Sequence, residues 1–156
     1  LIQNINLQIV NQSRKKDLYN FFNIEDIYQN RLNFQILHLS LILMNLNTNK
    51  NEYYLEKNIV KEFLNNFDLD FREKGFGDKL IEKKIFEISN LVNYQFFQYK
   101  KSLTNKKLLR NCLKKFFIFY KKDNKINVLE KYIHKQNLYL QKLNFNKTLD
   151  TKIFLD

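Results

Sequence analysis

The stretch "FQILHLSLILMNL", residues 34–46, is the longest apolar run of the chain and decides its fold class. It is thirteen residues long and carries polar side chains, whereas a membrane-spanning helix needs about 20 predominantly apolar residues. Together with Tyr28 and Leu32, its apolar residues recur at spacings of three and four, the pattern of one helix face. The run therefore predicts a buried helix, over roughly residues 25–46, in the core of a globular domain.

The same helical spacing continues on both sides of this run. Ser13 is expected to cap a short helix over residues 14–22, and "NTNKN" at 47–51 is expected to break the chain. No alternating strand pattern of useful length is present. The predicted fold class is all-α, with a single compact helical domain of about five to six helices. The remaining predicted helices span approximately 52–74, 78–101, 105–120 and 126–143.

The length of 156 residues predicts one domain that can bury a sizeable core. Residues 1–13 are expected to form an N-terminal extension, residues 14–120 the helical domain, and residues 121–156 a C-terminal helix and a frayed tail. The lone cysteine, Cys112, excludes an intrachain disulfide. One cysteine and two histidines do not supply the ligands of a structural zinc site. We therefore expect no metal and no cofactor.

Positive charge is concentrated in one segment. The chain carries 27 Lys and Arg against 16 Asp and Glu, for a net charge of +11. Residues 100–125 hold ten of these bases and one acid, so the rest of the chain, with 17 bases and 15 acids, is close to neutral. A general preference for lysine would not concentrate the surplus in this way. The predicted basic surface consists of Lys106, Lys107, Arg110, Lys114, Lys115, Lys121 and Lys122.

On the predicted helix 105–120, Lys107, Arg110 and Lys114 recur at spacings of three and four. They lie opposite the apolar Leu109 and Phe116. Such a basic amphipathic helix suits a phosphate backbone or anionic lipid headgroups. Three interpretations stay open at this point: a solvated lysine face without a partner, contact with RNA or a ribosome, and contact with a membrane surface.

The polar side chains do not form a catalytic pattern. His38, within the apolar run, is better explained as a core histidine bonded to a neighbour than as a ligand or general base. No second ligand stands four residues further on, and His134 is far away in sequence. Neither a phosphate-binding glycine loop nor a nucleophile–base pair is recognisable. We therefore expect no enzyme activity and no small-molecule substrate.

A group of acids near residue 73 could in principle hold a cation. Asp68 and Asp70, however, each stand four residues before a base, Arg72 and Lys74 respectively. Such acid-before-base pairs on a helix favour a salt-bridged surface over a metal site. The acids of this group are Asp68, Asp70, Glu73 and Asp78.

Both glycines of the chain, Gly75 and Gly77, lie in "FREKGFGDK", residues 71–79, and the chain has no proline. Gly75 is expected to take the left-handed conformation that ends a helix. Gly77 is expected to take a second unusual dihedral or to allow a close backbone approach. Asp78 is expected to cap the next helix and to complement its dipole. A helix corner accounts for these residues without a function.

The segment "LDFREKGFGDKLIEKKI", residues 69–85, resembles the signature of the ubiquinol–cytochrome c chaperone family, the assembly factors of the cytochrome bc1 complex. In that signature an Asp-x-x-Leu-Arg-Glu-x-Gly-Val-Gly-Asp run precedes a helix that opens with Val-x-Lys-Arg/Lys-Val. The resemblance makes the corner the first place to expect a partner contact. The matching positions here are Asp68, Arg72, Glu73, Gly75, Gly77, Asp78, Ile81, Lys83, Lys84 and Ile85.

The resemblance continues on both sides in the same order and covers about residues 14–120, with no recognisable counterpart after about 121. "LYNFFNIEDIYQNRLNFQILHL" at 18–39 is similar to the opening block of the family. The chain departs from the family at residues 92–95, which read Val-Asn-Tyr-Gln where Phe-Tyr-Gly-Arg is usual. The arginine of the family therefore has no counterpart here. The further matching positions are Tyr19, Asp26, Arg31, Leu37, His38, Tyr99, Leu103, Arg110 and Asn111.

The resemblance implies a non-enzymatic, all-helical chaperone in the assembly of the bc1 complex. In mitochondria, members of the family work with a small partner protein at the ribosomal tunnel exit and receive newly made cytochrome b; bacterial relatives also occur. The implied partners are cytochrome b as client, a small assembly-factor partner, and a ribosome (rRNA) or the anionic inner-membrane surface. The candidates for contact with the client or partner are Arg31, His38, Arg72, Glu73, Asp78, Lys83 and Tyr99.

The implied location is the mitochondrial matrix at the inner-membrane periphery, or alternatively the bacterial cytoplasm in association with the membrane. Two other classes of protein remain as alternatives. A basic helical protein that binds RNA or the ribosome would use the lysine-rich segment and leave the corner at 72–78 purely structural. A peripheral membrane protein would bind anionic vesicles through the same segment.

Overall fold

A computed structural model describes residues 1–46, 50–120, 125–143 and 152–155, without the side chains of residues 50–52. Within these residues the chain forms seven helices, and its β-structure is limited to an isolated bridge. The predicted all-α class is confirmed, but the predicted number of helices, five to six, is too low. The helices are α1 (Ile2–Ser13), α2 (Lys16–Phe22), α3 (Tyr28–Asn45), α4 (Lys50–Glu73), α5 (Asp78–Ser102), α6 (Lys106–Phe116) and α7 (Ile126–Leu140).

Helix α3 is the centre of the fold. Every residue from 32 to 43 is buried, because α3 packs against α1, α5 and α7. Most of its polar side chains have hydrogen-bond partners within the protein, which offsets the cost of burying them. The Ser40 hydroxyl donates to the Ile36 carbonyl at 2.7 Å. The Asn45 amide donates to Asn137 Oδ1 at 2.8 Å. The apolar run is thus a helix enclosed by protein, as predicted.

Phe34 connects α3 to two neighbouring segments. Its side chain is fully buried. The Phe34 ring lies 5.3 Å from the Tyr19 ring of α2 and 4.7 Å from the Phe117 ring that follows α6, centroid to centroid. Aromatic pairs at these separations are favourable beyond the area that they bury. The ring therefore anchors α2 and the end of α6 to the core.

Residues 1–13 were predicted as an N-terminal extension. All of them except Leu1 belong to α1, which packs against α3 and α4. Ile5 and Ile9 are fully buried. The Asn6 side chain donates to the carbonyl of Ile59 in α4 at 3.3 Å. The segment is therefore part of the packed structure.

Ser13 does not cap α2, contrary to the prediction. It is the last residue of α1, and its hydroxyl donates to the Ile9 carbonyl at 2.7 Å. The N-cap position of α2 is Lys15, without a side-chain cap hydrogen bond. The Ser13 prediction fails because the preceding segment is itself helical and extends to that residue.

Helix α6 ends at Phe116 rather than at residue 120. The chain beyond it pairs with the segment after α2, through an antiparallel bridge between Ile24 and Phe119. The Asn30 side chain secures this pairing. Its amide donates to the Ile118 carbonyl at 2.9 Å, and its Oδ1 accepts from the Ile118 N–H at 2.9 Å. This non-local pairing ends the helix earlier than its periodicity suggests.

Some of the sequence predictions fall outside the described residues: most of the break at 47–51, Lys121 and Lys122, and the tail from 144 to 151. Residues 152–155, within the predicted frayed tail, are packed against the body of the protein. Ile153 and Phe154 are only 1% and 2% exposed. None of the helices that the structure describes is long and apolar enough to cross a membrane.

Candidate functional site

The corner between α4 and α5 contains several of the predicted contact residues. Gly75 has φ +78°, and its N–H donates to the Arg72 carbonyl at 2.9 Å. The Phe76 N–H donates to the Phe71 carbonyl at 3.1 Å. These two bonds form the Schellman motif that ends a helix. The left-handed conformation predicted for Gly75 is confirmed.

Gly77 has an ordinary extended backbone, with φ −75° and ψ 152°. A Cβ placed on it would meet no atom within 4 Å. Gly77 is itself the N-cap of α5, and Asp78 is the first residue of that helix. Two predictions for this corner are therefore wrong. Gly77 has neither an unusual dihedral nor a close backbone neighbour, and Asp78 is not the cap. The reason is that the backbone returns to ordinary φ values directly after Gly75. Asp78 still complements the helix dipole from the first turn.

We expect the two glycines to respond differently to substitution. Gly75→Ala should lower the free energy of unfolding by about 1 kcal/mol, because a side chain at positive φ is strained. Gly77→Ser should be neutral or stabilising by a few tenths of a kcal/mol, because a serine N-cap can accept a hydrogen bond from the first turn. Urea denaturation of both variants measures the difference. Equal losses would contradict the assignment of the left-handed residue.

Arg72 bridges the two helices of the corner. Its Nε donates to Asp68 at 2.5 Å, and its Nη1 donates to Asp78 at 2.8 Å. These hydrogen bonds, to Asp68 first and then to Asp78, raise the pKa of the Arg72 guanidinium. Lys74 pairs with Asp70 at 2.5 Å, so both predicted helix pairs are confirmed. Exposed pairs of this kind contribute little to stability.

Apolar side chains surround the charges of the corner. Leu69, Phe76 and Leu80 are 59%, 38% and 44% exposed. The Phe76 ring stacks on the Phe71 ring at 5.7 Å, and the Lys84 ammonium lies 5.5 Å from both ring centroids. The corner therefore presents both apolar area and paired charge to solvent. No group of three or more potential metal ligands occurs in the part of the chain that the structure describes.

Two of the predicted contact residues are not available to a partner. His38 and Tyr99 are 0% and 1% exposed. Both predictions are wrong as direct contacts, because α3 is enclosed by other helices and Tyr99 faces the core. Arg31 is exposed and forms a bidentate pair with Asp26, at 2.6 and 3.0 Å. The candidates that the structure leaves exposed are Arg31, Arg72, Glu73, Asp78 and Lys83.

His38 has a hydrogen-bond partner on each ring nitrogen. Nδ1 lies 2.9 Å from Ser13 Oγ, and Nε2 lies 2.8 Å from the Tyr132 hydroxyl. The Ser13 hydroxyl donates to the Ile9 carbonyl, so it accepts from Nδ1–H, and Nε2 accepts from Tyr132. Burial lowers the pKa of His38 to about 3. The residue is a neutral core histidine that joins α1, α3 and α7.

This buried imidazole predicts a loss of stability in mild acid. In a His134→Gln variant, whose only histidine is His38, the free energy of unfolding should fall by about 1.4 kcal/mol between pH 7.5 and 5.5. The unfolded chain takes up a proton near pH 6.5, whereas the folded ring stays neutral down to about pH 3. Acid therefore favours the unfolded state. Urea denaturation at both pH values measures this change, and constant stability would contradict it.

A second candidate surface lies between α5 and α6. Tyr94 and Leu108 line a cleft of about 270 Å³ between the two helices. Tyr94, Leu108 and the nearby Phe97 are 41%, 47% and 52% exposed. We call the surface formed by Tyr94, Phe97, Lys101, Leu108 and Lys115 the α5–α6 face.

Lysines lie against the aromatic rings of the α5–α6 face. The Lys101 ammonium is 4.2 Å from the Phe97 ring centroid. The Lys115 ammonium is 5.0 Å from the Tyr94 centroid and donates to the Tyr94 hydroxyl at 2.6 Å. Cation–π contacts hold these cations beside apolar area. Surfaces with this mixture of rings and cations suit the interface of an anionic membrane.

Arg110 differs from the lysines of α6 because its guanidinium is paired with a carboxylate of α7. Its Nε donates to Glu130 of α7 at 2.5 Å, and the Glu130 side chain is only 5% exposed. The guanidinium neutralises the Glu130 carboxylate, because an unpaired charge is costly to bury. Arg110 was predicted as part of the basic surface, and its side chain is 42% exposed, but its charge is paired with Glu130. The exposed lysines of α6 are Lys106, Lys107, Lys114 and Lys115.

The exposed rings of α5 were not predicted as functional residues. The core-facing stripe of α5 includes Ile81, Val92 and Tyr99, which are buried and recur at helical spacing. Phe86 and Phe97 lie off that stripe and are 67% and 52% exposed. They are separated by about three helical turns and therefore point to the same side. Aromatic residues on the otherwise polar face of α5 are the sequence pattern that could have indicated its exposed aromatic side.

Comparisons with known proteins found a matching family model and a similar solved structure. A family model described as Ubiquinol-cytochrome C chaperone matches residues 20–154, well beyond the end of the motif resemblance near residue 120. The crystal structure of the Cbp3 homolog from Brucella abortus has a similar fold, with a TM-score of 0.77, 20% identity, and coverage of 93% of this chain and 82% of that chain. No curated protein matches the sequence. Because the family model spans most of its length, the chain belongs to the ubiquinol–cytochrome c chaperone family.

Proposed function

We propose that this protein is a non-enzymatic assembly chaperone of the cytochrome bc1 complex and that newly made cytochrome b is its client. The family match over residues 20–154 is the observation that supports this function. Such a chaperone acts stoichiometrically, by covering apolar surface of an unassembled subunit. It needs exposed apolar side chains beside charged ones, and both the α4–α5 corner and the α5–α6 face have them.

The α4–α5 corner is the proposed contact for the client or for a small assembly partner. Leu69, Phe76 and Leu80 supply exposed apolar area, while Arg72 and Asp78 supply polar groups at its border. An apolar centre with a polar rim is the usual anatomy of a protein interface. Because the Arg72 ion pairs are exposed, a partner could exchange them for its own contacts without leaving a buried charge unpaired.

The α5–α6 face and the exposed lysines of α6 are proposed to hold the protein at an anionic surface near the site of synthesis. Exposed rings such as Phe97, with Lys101 beside it, favour the membrane periphery, because rings enter the headgroup region while cations meet anionic lipids. The proposed location is the matrix side of the mitochondrial inner membrane or the cytoplasmic side of a bacterial membrane.

Affinity isolation of the tagged protein tests the function. We expect cytochrome b to be recovered with the wild-type protein, and a strain lacking the protein to contain less cytochrome b and less assembled bc1 complex. Normal cytochrome b and normal bc1 assembly in that strain would count decisively against the proposal.

Arg72→Ala tests the corner within the same assay. The variant should keep its helical circular dichroism and recover less cytochrome b or small partner than the wild type. Arg14→Ala, the same change at another exposed arginine, is the control and should recover normal amounts. If Arg72→Ala loses stability but binds partners normally, the corner is structural only.

A second candidate function is a basic helical protein that binds RNA or the ribosome. It is favoured by the exposed lysines on a single helix, Lys106, Lys107, Lys114 and Lys115. Charge reversal on α6 separates the two functions. Loss of all ribosome association with bc1 assembly intact would favour the second.

A further inference from the structure

Residues 152–155 are held between α1 and α7 by side chains that bind their main chain. The Ile153 N–H donates to Gln8 Oε1 at 2.7 Å. The Leu155 N–H donates to Gln136 Oε1 at 3.0 Å, and the Leu155 carbonyl accepts from Gln136 Nε2 at 2.8 Å. Gln12 Nε2 donates to the same carbonyl at 3.1 Å. One glutamine of α7 and two of α1 thus form hydrogen bonds to the main chain of this short segment from both sides.

The side chains of the segment enter the core between these helices. Ile153 and Phe154 are 1% and 2% exposed, although both belong to a stretch without regular secondary structure. The Phe154 ring lies 4.7 Å from the His38 ring. Tyr132 connects the floor of this cleft to its rim, because its hydroxyl bonds to His38 and accepts from Gln12. The cleft combines an apolar floor with polar groups at its edges.

We propose that the cleft between α1 and α7 is a peptide-binding site for segments with two adjacent bulky apolar residues, and that residues 152–155 occupy it as a replaceable internal ligand. The glutamine side chains bind main-chain N–H and carbonyl groups, which every peptide carries. The buried pair Ile153 and Phe154 supplies the selectivity. A segment of the same kind from another polypeptide finds the same donors, acceptors and apolar floor. The site is independent of the proposed chaperone function.

Covalent attachment gives the internal ligand an advantage over a free peptide. A tethered segment has an effective concentration on the order of mM, so a separate peptide competes poorly until the tail is released. The wild-type protein should therefore bind a free peptide weakly, and a variant with a disabled tail should bind it well.

A labelled synthetic peptide, LDTKIFLD (residues 149–156), tests the proposal by fluorescence anisotropy on the full-length protein. Phe154→Asp, which should release the tail, should bind the peptide at least tenfold more tightly than the wild type. Phe86→Asp, the same change at an exposed ring, should bind it as weakly as the wild type. Adding Gln136→Leu to the released chain should weaken peptide binding about tenfold, because two hydrogen bonds are lost. The peptide with the Phe154→Asp change should not bind.

Hydrogen exchange in the wild-type protein tests whether the tail leaves the cleft, even if Phe154→Asp fails to fold. The Ile153 and Leu155 amides should exchange at least 100-fold faster than the amides of α3, because the tail opens locally while the core stays folded. Equal exchange rates in the tail and α3 would overturn the proposal. So would a folded Phe154→Asp variant that binds no peptide, since the tail would then be a permanent part of the core.

Discussion

Truncation of Phe34 to alanine is expected to lower the free energy of unfolding by about 3–5 kcal/mol, the usual loss for a buried aromatic residue in a packed core. The ring contacts Tyr19 of α2 and Phe117 beyond α6, and both would border the cavity that remains. The neighbouring rings are large and packed in place themselves, so they cannot collapse into the space without cost.

Urea denaturation followed by circular dichroism measures this loss. Phe86→Ala is the matched control, because it makes the same chemical change at a ring that is 67% exposed. It should alter the free energy of unfolding by no more than about 0.5 kcal/mol. Similar losses in the two variants would contradict the central position of Phe34.

Reversal of three lysines, by Lys106→Glu, Lys107→Glu and Lys114→Glu together, is expected to weaken binding to anionic vesicles at least about 100-fold. Each lysine near an anionic membrane contributes about 1 kcal/mol of attraction, and glutamate replaces this with repulsion. The three side chains are exposed, so the helix should remain intact. Arg110 is left unchanged because it neutralises the buried Glu130.

Flotation with cardiolipin-containing vesicles measures the effect, and sedimentation with ribosomes measures the alternative contact. The control is Lys57→Glu, Lys61→Glu and Lys135→Glu, an equal change of net charge at exposed positions of α4 and α7. An equal loss in both variants would mean that net charge alone governs binding. Loss of ribosome binding with vesicle binding intact would favour an RNA contact.

The helices from α3 to α7 were predictable because their apolar residues repeat at helical spacing. Helix α1 was not assigned, although Ile5 and Ile9 are spaced for one face. Its buried face also includes Asn6 and Gln12, whose burial is tolerated only because Ile59 and Tyr132 bond to them. Partners so distant in sequence cannot be inferred from the local pattern.

The candidate site shows the same division between local and non-local information. The Schellman turn at Gly75 and the Asp68–Arg72 pair follow from local spacing and were predicted. The link from Arg110 to Glu130 crosses between helices, so its effect on the basic surface could not be foreseen. The hydrogen bond between Gln136 and the Leu155 N–H is equally non-local, so it could not be foreseen either.

The bonds from α1 to residues 153 and 155 also have a consequence for the timing of folding. The main-chain partners of Gln8 and Gln12 lie 145 and 143 residues further along the chain, so they are synthesised much later. At a synthesis rate of about 5–20 residues per second, this delay is about 7–30 s. For that interval the Gln8 and Gln12 side chains lack these main-chain partners, although α3 and α4, against which α1 packs, are made well before residues 153 and 155. The contacts between α1 and residues 153 and 155 can therefore form only after nearly all of this sequence has been synthesised.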